Sequence, residues 1–305
     1  MTRMLTDLAE AADLLRAGRL VAFPTETVYG LGANALDPVA VAGIFVAKGR
    51  PSTNPLIVHV PSTEAARDLV TAWPPTAELL AARFWPGPLT LVLPRRSIVP
   101  DAVTAGGRTV AIRVPAHRVA LALLAETGLP LAAPSANRAN RLSPTTAQHV
   151  LADLDGRIDA IIDGGPTTGG IESTVVDLSG DRPRLLRPGL LALPLLESLL
   201  GPLAIGSGES DRPLPSPGMM ARHYAPQTPL ECVAVAPREV PAGCVVVRFG
   251  VGELLPDDPE TASALLYALL HELDAGGFLQ IIVELPPDEP EWLAVRDRLS
   301  RAGTS

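Results

Sequence analysis

The sequence predicts an α/β protein: a twisted mixed sheet with flanking helices, then a linker and a second, smaller α/β module. Three observations carry this reading. Short apolar runs alternate with segments of helical periodicity through the first two hundred residues. Several joins, such as 85–91, leave no room for a crossover helix, so some neighbouring strands must run antiparallel. The composition, 47% apolar and 19% charged, excludes a disordered chain, and 32 prolines with 26 glycines that follow no period exclude collagen and coiled coil.

Taken in order, residues 5–17 read as an amphipathic helix closed by Gly18, and the apolar run 20–23 as a strand. A polar loop ending in Gly30-Leu-Gly follows, read as a turn, and then a helix over 38–48 with Gly49 as its left-handed cap. Apolar runs give strands at 56–60, 89–93, 110–114, 129–133, 160–162 and 174–178; helical spacing gives 63–72, 77–83, 117–126 and 145–151. From residue 206 the chain turns to Gly, Ser, Pro and Asp and ends in SPGMMARHYAP at 216–226, a linker with side chains fit to dock as a flap. Beyond it, strands at 231–236, 244–249 and 280–285 and helices at 261–274 and 291–301 make a small α/β module. The expected domains are therefore 1–204, a linker 205–229, and 230–305.

The apolar stretch 190–205 is broken by Pro194, Glu197 and Pro202 and is too short for a bilayer. With no basic leader at the N-terminus, a cytoplasmic location is expected. Cys232 and Cys244 are too few for a disulfide framework or a zinc site. Net charge is -8, and residues 231–305 hold 13 acids against 5 arginines, so the acidity belongs to the tail. An acidic tail argues against a strong nonspecific grip on nucleic acid.

Among 25 basic residues Lys48 is the sole lysine. Arg and Lys are interchangeable on most solvated surfaces, so a surviving lysine marks either chance or a place where a compact charge must reach one oxygen. It opens Lys48-Gly-Arg50-Pro-Ser-Thr-Asn-Pro, two cations and a proline-stiffened polar loop at a helix end, which suits a polyanion better than a helix dipole alone. Thr25, Glu26, Thr27 and Tyr29 crowd a strand end, where α/β folds place ligands; Gly30-Leu-Gly-Ala-Asn-Ala imitates a dinucleotide fingerprint but does not come straight off a strand, and that reading is rejected. Ser135 and Asn137 follow a strand in a loop that holds two of the four asparagines. The loop at 164–174 is glycine-rich enough to turn backbone N–H groups onto an anion. His59, alone on a strand, reads by itself as a packed core residue.

Together PTETVYGL (24–31), KGRP (48–51), NPLIVH (54–59), FWPGPLT (84–90), VAIRVP (110–115), PSAN (134–137), ESTVVD (172–177) and LRPG (186–189) resemble, in order and spacing, the YrdC-like family of threonylcarbamoyl-AMP synthases. SPGM (216–219) and HYAP (223–226) are similar to the long form of that family, which adds a C-terminal domain. The resemblance implies an open concave basin and, at its end, a Rossmann-like module. It implies a reaction in which L-threonine, bicarbonate and ATP, with Mg²⁺, give threonylcarbamoyl-AMP and pyrophosphate. A downstream tRNA threonylcarbamoyl transferase would consume the product. By motif, Lys48, Arg50, Ser135 and Asn137 match the family's nucleotide tetrad, and Thr109, Ser143, Arg187 and Tyr224 further ATP contacts. Thr25, His59, Arg113 and Ser173 match threonine-side positions; no metal ligands are implied. A carbamoyl-transfer enzyme of the same fold and an RNA-binding maturation factor are the alternatives.

Overall fold

The structure, a computed structural model, describes residues 1–206 and 224–303. Among these, the first part of the chain builds one large sheet from β1 (Arg3–Leu5), β2 (Val21–Phe23), β3 (Gly30–Asn34), β4 (Ile57–His59), β5 (Leu89–Pro94), β6 (Thr109–Arg113), β7 (Leu131–Ala132), β8 (Ala160–Ile162), β9 (Thr174–Asp177), β10 (Arg184–Arg187) and β11 (Ala204–Ile205). Their spatial order is β1-β8-β2-β3-β7-β4-β6-β5-β9-β10-β11. The sheet is mixed, as expected: β4 runs parallel to β6, whereas β5 runs antiparallel to β6 and β2 to β3. Helices α1 (Leu8–Arg16), α2 (Pro38–Lys48), α3 (Thr63–Arg67), α4 (Pro75–Phe84), α5 (Asp101–Thr104), α6 (Arg118–Thr127), α7 (Ala147–Leu154) and α8 (Leu193–Leu200) flank it. Leu89, Leu91, Val92 and Leu93 are all fully buried, which is why β5 reads as an unbroken apolar run rather than an alternating one.

The strand-and-helix expectations hold for the central elements and fail in instructive places. The helix expected over 5–17 is split: β1 ends at Leu5, and Asp7 caps α1 by accepting from Ala9 N at 2.8 Å. Gly30 to Asn34 is a buried strand, not a turn, because Phe23 lies over it; a Cβ on Gly32 would sit 2.8 Å from the Phe23 ring. Its antiparallel pairing with β2 agrees with rejecting the dinucleotide reading, since no strand-to-helix turn exists there. Pro194 and Pro202 bracket a helix instead of interrupting a coil: Pro194 lies in the first turn of α8, where no N–H is missed, and Pro202 follows its end.

The terminal module contains β12 (Leu230–Val233), β13 (Cys244–Val247) and β14 (Gln280–Glu284) in the order β12-β14-β13, all parallel, with α9 (Pro259–Ala275) and α10 (Leu293–Ala302). It shares an apolar cluster with the first domain: Val28, Leu142 and Ile171 pack with Tyr224, Leu266, Tyr267 and Leu270. The contact is close enough to reach backbone. A Cβ on Gly170 would lie 2.3 Å from the Ala264 carbonyl of α9.

Candidate active site

Capping geometry places the first cations. Asp37 accepts from Val39 N at 2.8 Å to start α2, and Gly49 at φ 61° stops it, so the chain turns sharply between Lys48 and Arg50. Both side chains are buried, but they face different partners. Arg50 lines a cleft together with Thr25, Thr27, His59, Arg113, Ser135, Ser173, Arg187, Glu172 and Tyr224. Lys48 does not line it. Its ammonium donates to the Ser135 carbonyl at 2.6 Å and to the Asn137 carbonyl, and approaches Asn137 Oδ1 at 3.4 Å. Burial, then the neighbouring Arg50 charge, pull the Lys48 pKa well below its ordinary value. In this arrangement Lys48 clamps the 135–141 loop, which carries Ser135 and Asn137.

Asn137 belongs to the same clamp, donating from Nδ2 to the carbonyls of Arg138 at 3.0 Å and Arg141 at 2.8 Å. Ser135 is left on the cleft wall. Arg187 is anchored on Ser173 through its carbonyl, from Nε at 3.1 Å and NH2 at 2.9 Å, and its hydroxyl at 3.1 Å. Ser173 Oγ also meets Thr90 Oγ1 at 2.7 Å. Arg50 is brought down to about 10, chiefly by burial and also by the like charge of Arg187, with the nearby Tyr224 opposing. Two guanidiniums thus share one end of the cleft, an arrangement that a bound anion would relieve.

The second cationic group is built on neighbouring strands. β4 and β6 pair so that His59 stands opposite Arg113. Arg113 is 3% exposed, donates to Thr27 Oγ1 at 2.8 Å and Gly87 O at 3.2 Å, and forms an ion pair with Glu26 at 2.7 Å. Thr25 Oγ1 donates to Val28 O at 2.6 Å and closes the turn between β2 and β3. His59 packs edge-on to Phe23, and its Nδ1 is buried with no hydrogen-bond partner among the described residues. Burial first, then Arg113, hold its pKa at about 3, so the ring is neutral. A neutral imidazole and a buried guanidinium side by side suit an amino acid's carboxylate and hydroxyl.

Ser143 does not reach the cleft wall either; its hydroxyl donates to Glu172 Oε1 at 2.6 Å. Thr109 stands apart. It begins β6 opposite Pro94, four residues from Arg113, or about 13 Å along the strand. The glycine-rich loop is also redirected: Gly164 N donates to Tyr29 OH, Gly165 N to Asp163 Oδ1 and Gly169 N to Glu26 O. Those N–H groups are spent on the protein itself, and of the loop's glycines Gly170 alone faces α9, while a Cβ on Gly164 would meet Pro24 and one on Gly169 would meet Leu190. Tyr29 in turn donates to Gly165 O at 2.7 Å, and burial pushes its phenol up to about 12.

Sequence reasoning missed Glu172, Tyr267 and Arg298. Glu172 sits beside Ser173 in a motif already singled out, whereas Tyr267 and Arg298 come from the acidic tail without any local signal. His223 and the flap residues before it lie outside the described residues; Tyr224 lies within them and is buried.

Two family models match the chain: one described as telomere recombination, for Sua5, YciO and YrdC, over residues 13–189, and one described as the threonylcarbamoyl-AMP synthase C-terminal domain over 193–304. The chain belongs to the Sua5/YciO/YrdC family. It carries the family's long form, with the additional C-terminal domain. It is 46% identical over 97% of its length to a threonylcarbamoyl-AMP synthase of Bacillus subtilis, covering 92% of that protein, and 45% identical over 96% to one of Pyrococcus abyssi, again covering 92%. The crystal structure of P. abyssi Sua5 complexed with L-threonine superposes with a TM-score of 0.89 at 41% identity, over 99% of this chain and 97% of that one. No helix among the described residues is long and apolar enough to cross a membrane.

Proposed function

We propose that this Sua5-type chain is an L-threonylcarbamoyladenylate synthase, a nucleotidyltransferase that condenses L-threonine, bicarbonate and ATP. The observation that carries this reading is a cleft with the cations Arg50 and Arg187 in one group and Arg113, paired with Glu26, beside neutral His59 in another. Arg113, His59 and Thr25 take threonine; Arg50, Arg187, Ser135 and Tyr224 take the nucleotide. The threonine amine attacks the bicarbonate carbon, water leaves, and a carbamate forms. A carbamate oxygen then attacks the α-phosphorus, and pyrophosphate departs with the bonding pair of the broken P–O bond.

Little covalent work falls to the chain. Its residues hold two anions within reach and neutralise the charge that grows on the leaving pyrophosphate. Mg²⁺ enters with ATP as part of the substrate. Glu172, the carboxylate on the cleft wall, is already held by Arg298, Ser143 and Tyr267 and is not offered to a metal. The product is a labile mixed anhydride, so its consumer is a transferase that passes the threonylcarbamoyl group to tRNA. The acidic terminal domain fits a protein that does not itself grip the nucleic acid, and a cytoplasmic location is part of the proposal.

Release of pyrophosphate from ATP, measured with and without L-threonine and bicarbonate, tests the proposal. Release that depends on both is expected. Threonine-independent turnover of carbamoyl phosphate would replace it with a carbamoyl-transfer activity, and RNA binding without turnover would replace it with a maturation factor.

A further inference from the structure

Glu172 and Arg298 form the most deeply buried ion pair described, and it joins the two domains. Arg298 Nε lies 2.7 Å from Glu172 Oε2, with side-chain exposures of 1% and 8%. Ser143 donates to the other carboxylate oxygen at 2.6 Å, and Tyr267 OH lies 3.2 Å from Oε2. Arg298 also bonds Asp297 through NH1 at 2.7 Å and stacks its guanidinium 5.0 Å above the Tyr224 ring. Glu172 precedes Ser173, the residue on which Arg187 is anchored, and it lines the same cleft as Arg50 and Arg187.

A buried carboxylate at the nucleotide end of a cleft is a liability. Unless its charge is matched, it repels a triphosphate and attracts the nearest cation, and low polarity magnifies both effects. We propose that Arg298 of the terminal domain is a positioning residue for the nucleotide: it takes the charge of Glu172, so that Arg187 stays on Ser173 and the cleft presents net positive charge to ATP. On this view the terminal domain completes the electrostatics of the site from behind the cleft wall. The inference rests on the proposed use of ATP.

Titration of the full-length protein with ATP and with adenosine separates charge from shape. Wild-type protein that binds no ATP would refute the proposed function itself. With wild-type binding established, Arg298→Met should weaken ATP by about tenfold or more and adenosine by less than about threefold, because only the triphosphate meets the unmatched charge. Adding Glu172→Gln to Arg298→Met should bring ATP back to within about threefold of wild type, and Arg298→Lys should stay in that range by keeping the charge. Parallel loss of ATP and adenosine, or no recovery on adding Glu172→Gln, would overturn the proposal. If thermal melting shows that Arg298→Met alone does not fold, the Glu172→Gln single and the double variant carry the test. Their ATP-to-adenosine ratios should agree, and a gap of about tenfold means that Arg298 acts by another route.

Discussion

Lys48 shows how a residue can be found by counting before its contacts are known. Its rarity picked it out, and its neighbours suggested a ligand oxygen, but its ammonium is used by the carbonyls of Ser135 and Asn137. The distinction matters for substitution. A guanidinium is broader than an ammonium and cannot sit in the same three-sided cage, so Lys48→Arg should push the 135–141 loop outward and displace Ser135 from the cleft wall. Turnover is expected to fall by about tenfold or more, equivalent to about 1.4 kcal/mol, with KM for ATP rising more than KM for threonine. Steady-state kinetics alongside circular dichroism checks this; a variant with wild-type constants would show that the cage is dispensable. Arg50 was singled out by its dense local motif with Lys48, whereas His59, Arg113 and Arg187 were picked out only through the longer runs that carry the family resemblance. Arg298 was legible by neither route, because its partner lies 126 positions away.

At the scale of elements, what the sequence reveals depends on whether packing leaves a trace in side-chain type. β4, β5 and β6 announce themselves as apolar runs, since they are covered on both faces. β3 does not, because glycine is what lets Phe23 lie across it, and glycine is also what turns look like. α8 was hidden by its prolines, and β10 is too short, at four residues, and too basic at its ends to stand out. The loop before Ile171 misled for the same reason as β3: glycine there admits a close neighbour, and Gly170 meets the backbone of α9. Gly170 has φ 73° and faces the Ala264 carbonyl, so Gly170→Ala adds both left-handed strain and a clash with α9. The variant should lose about 1–3 kcal/mol of stability and weaken ATP binding while the circular dichroism of the sheet persists. Calorimetry and ATP titration read these effects, and unchanged values in both would mean that α9 tolerates displacement.

At the scale of the molecule, the two domains meet through groups that are sensitive to acid. His149 and His271 stack at 3.8 Å across the interface, with His271 Nε2 donating to Ser143 O at 3.0 Å. Burial, then His271, hold His149 at about 4; burial also lowers His271, against the pull of Asp274 and Asp153. His59, at about 3, behaves in the same sense. All three are neutral when folded and take protons near pH 6.5 when unfolded, so the unfolded chain binds more protons between those values. The stability they contribute is therefore full above about pH 6.5 and lost as pH falls toward 4. Glu172, raised by burial but held at about 2 by Arg298 and Arg187, contributes above about 4.5 and is lost only below that. The melting temperature should fall from pH 7 to pH 5, and His149→Gln, which cannot protonate there, should flatten the slope. Equal slopes in variant and wild type would place the protons elsewhere.

The burial of Lys48 has a further use. The chain's one lysine amine is 2% exposed, with its ammonium enclosed by the loop that borders the cleft. An acylating reagent can reach that amine only while the loop stands open. The rate at which that side chain gains mass, told apart from the exposed N-terminal amine by peptide mapping, then times the opening of one cleft wall without any residue having to be substituted.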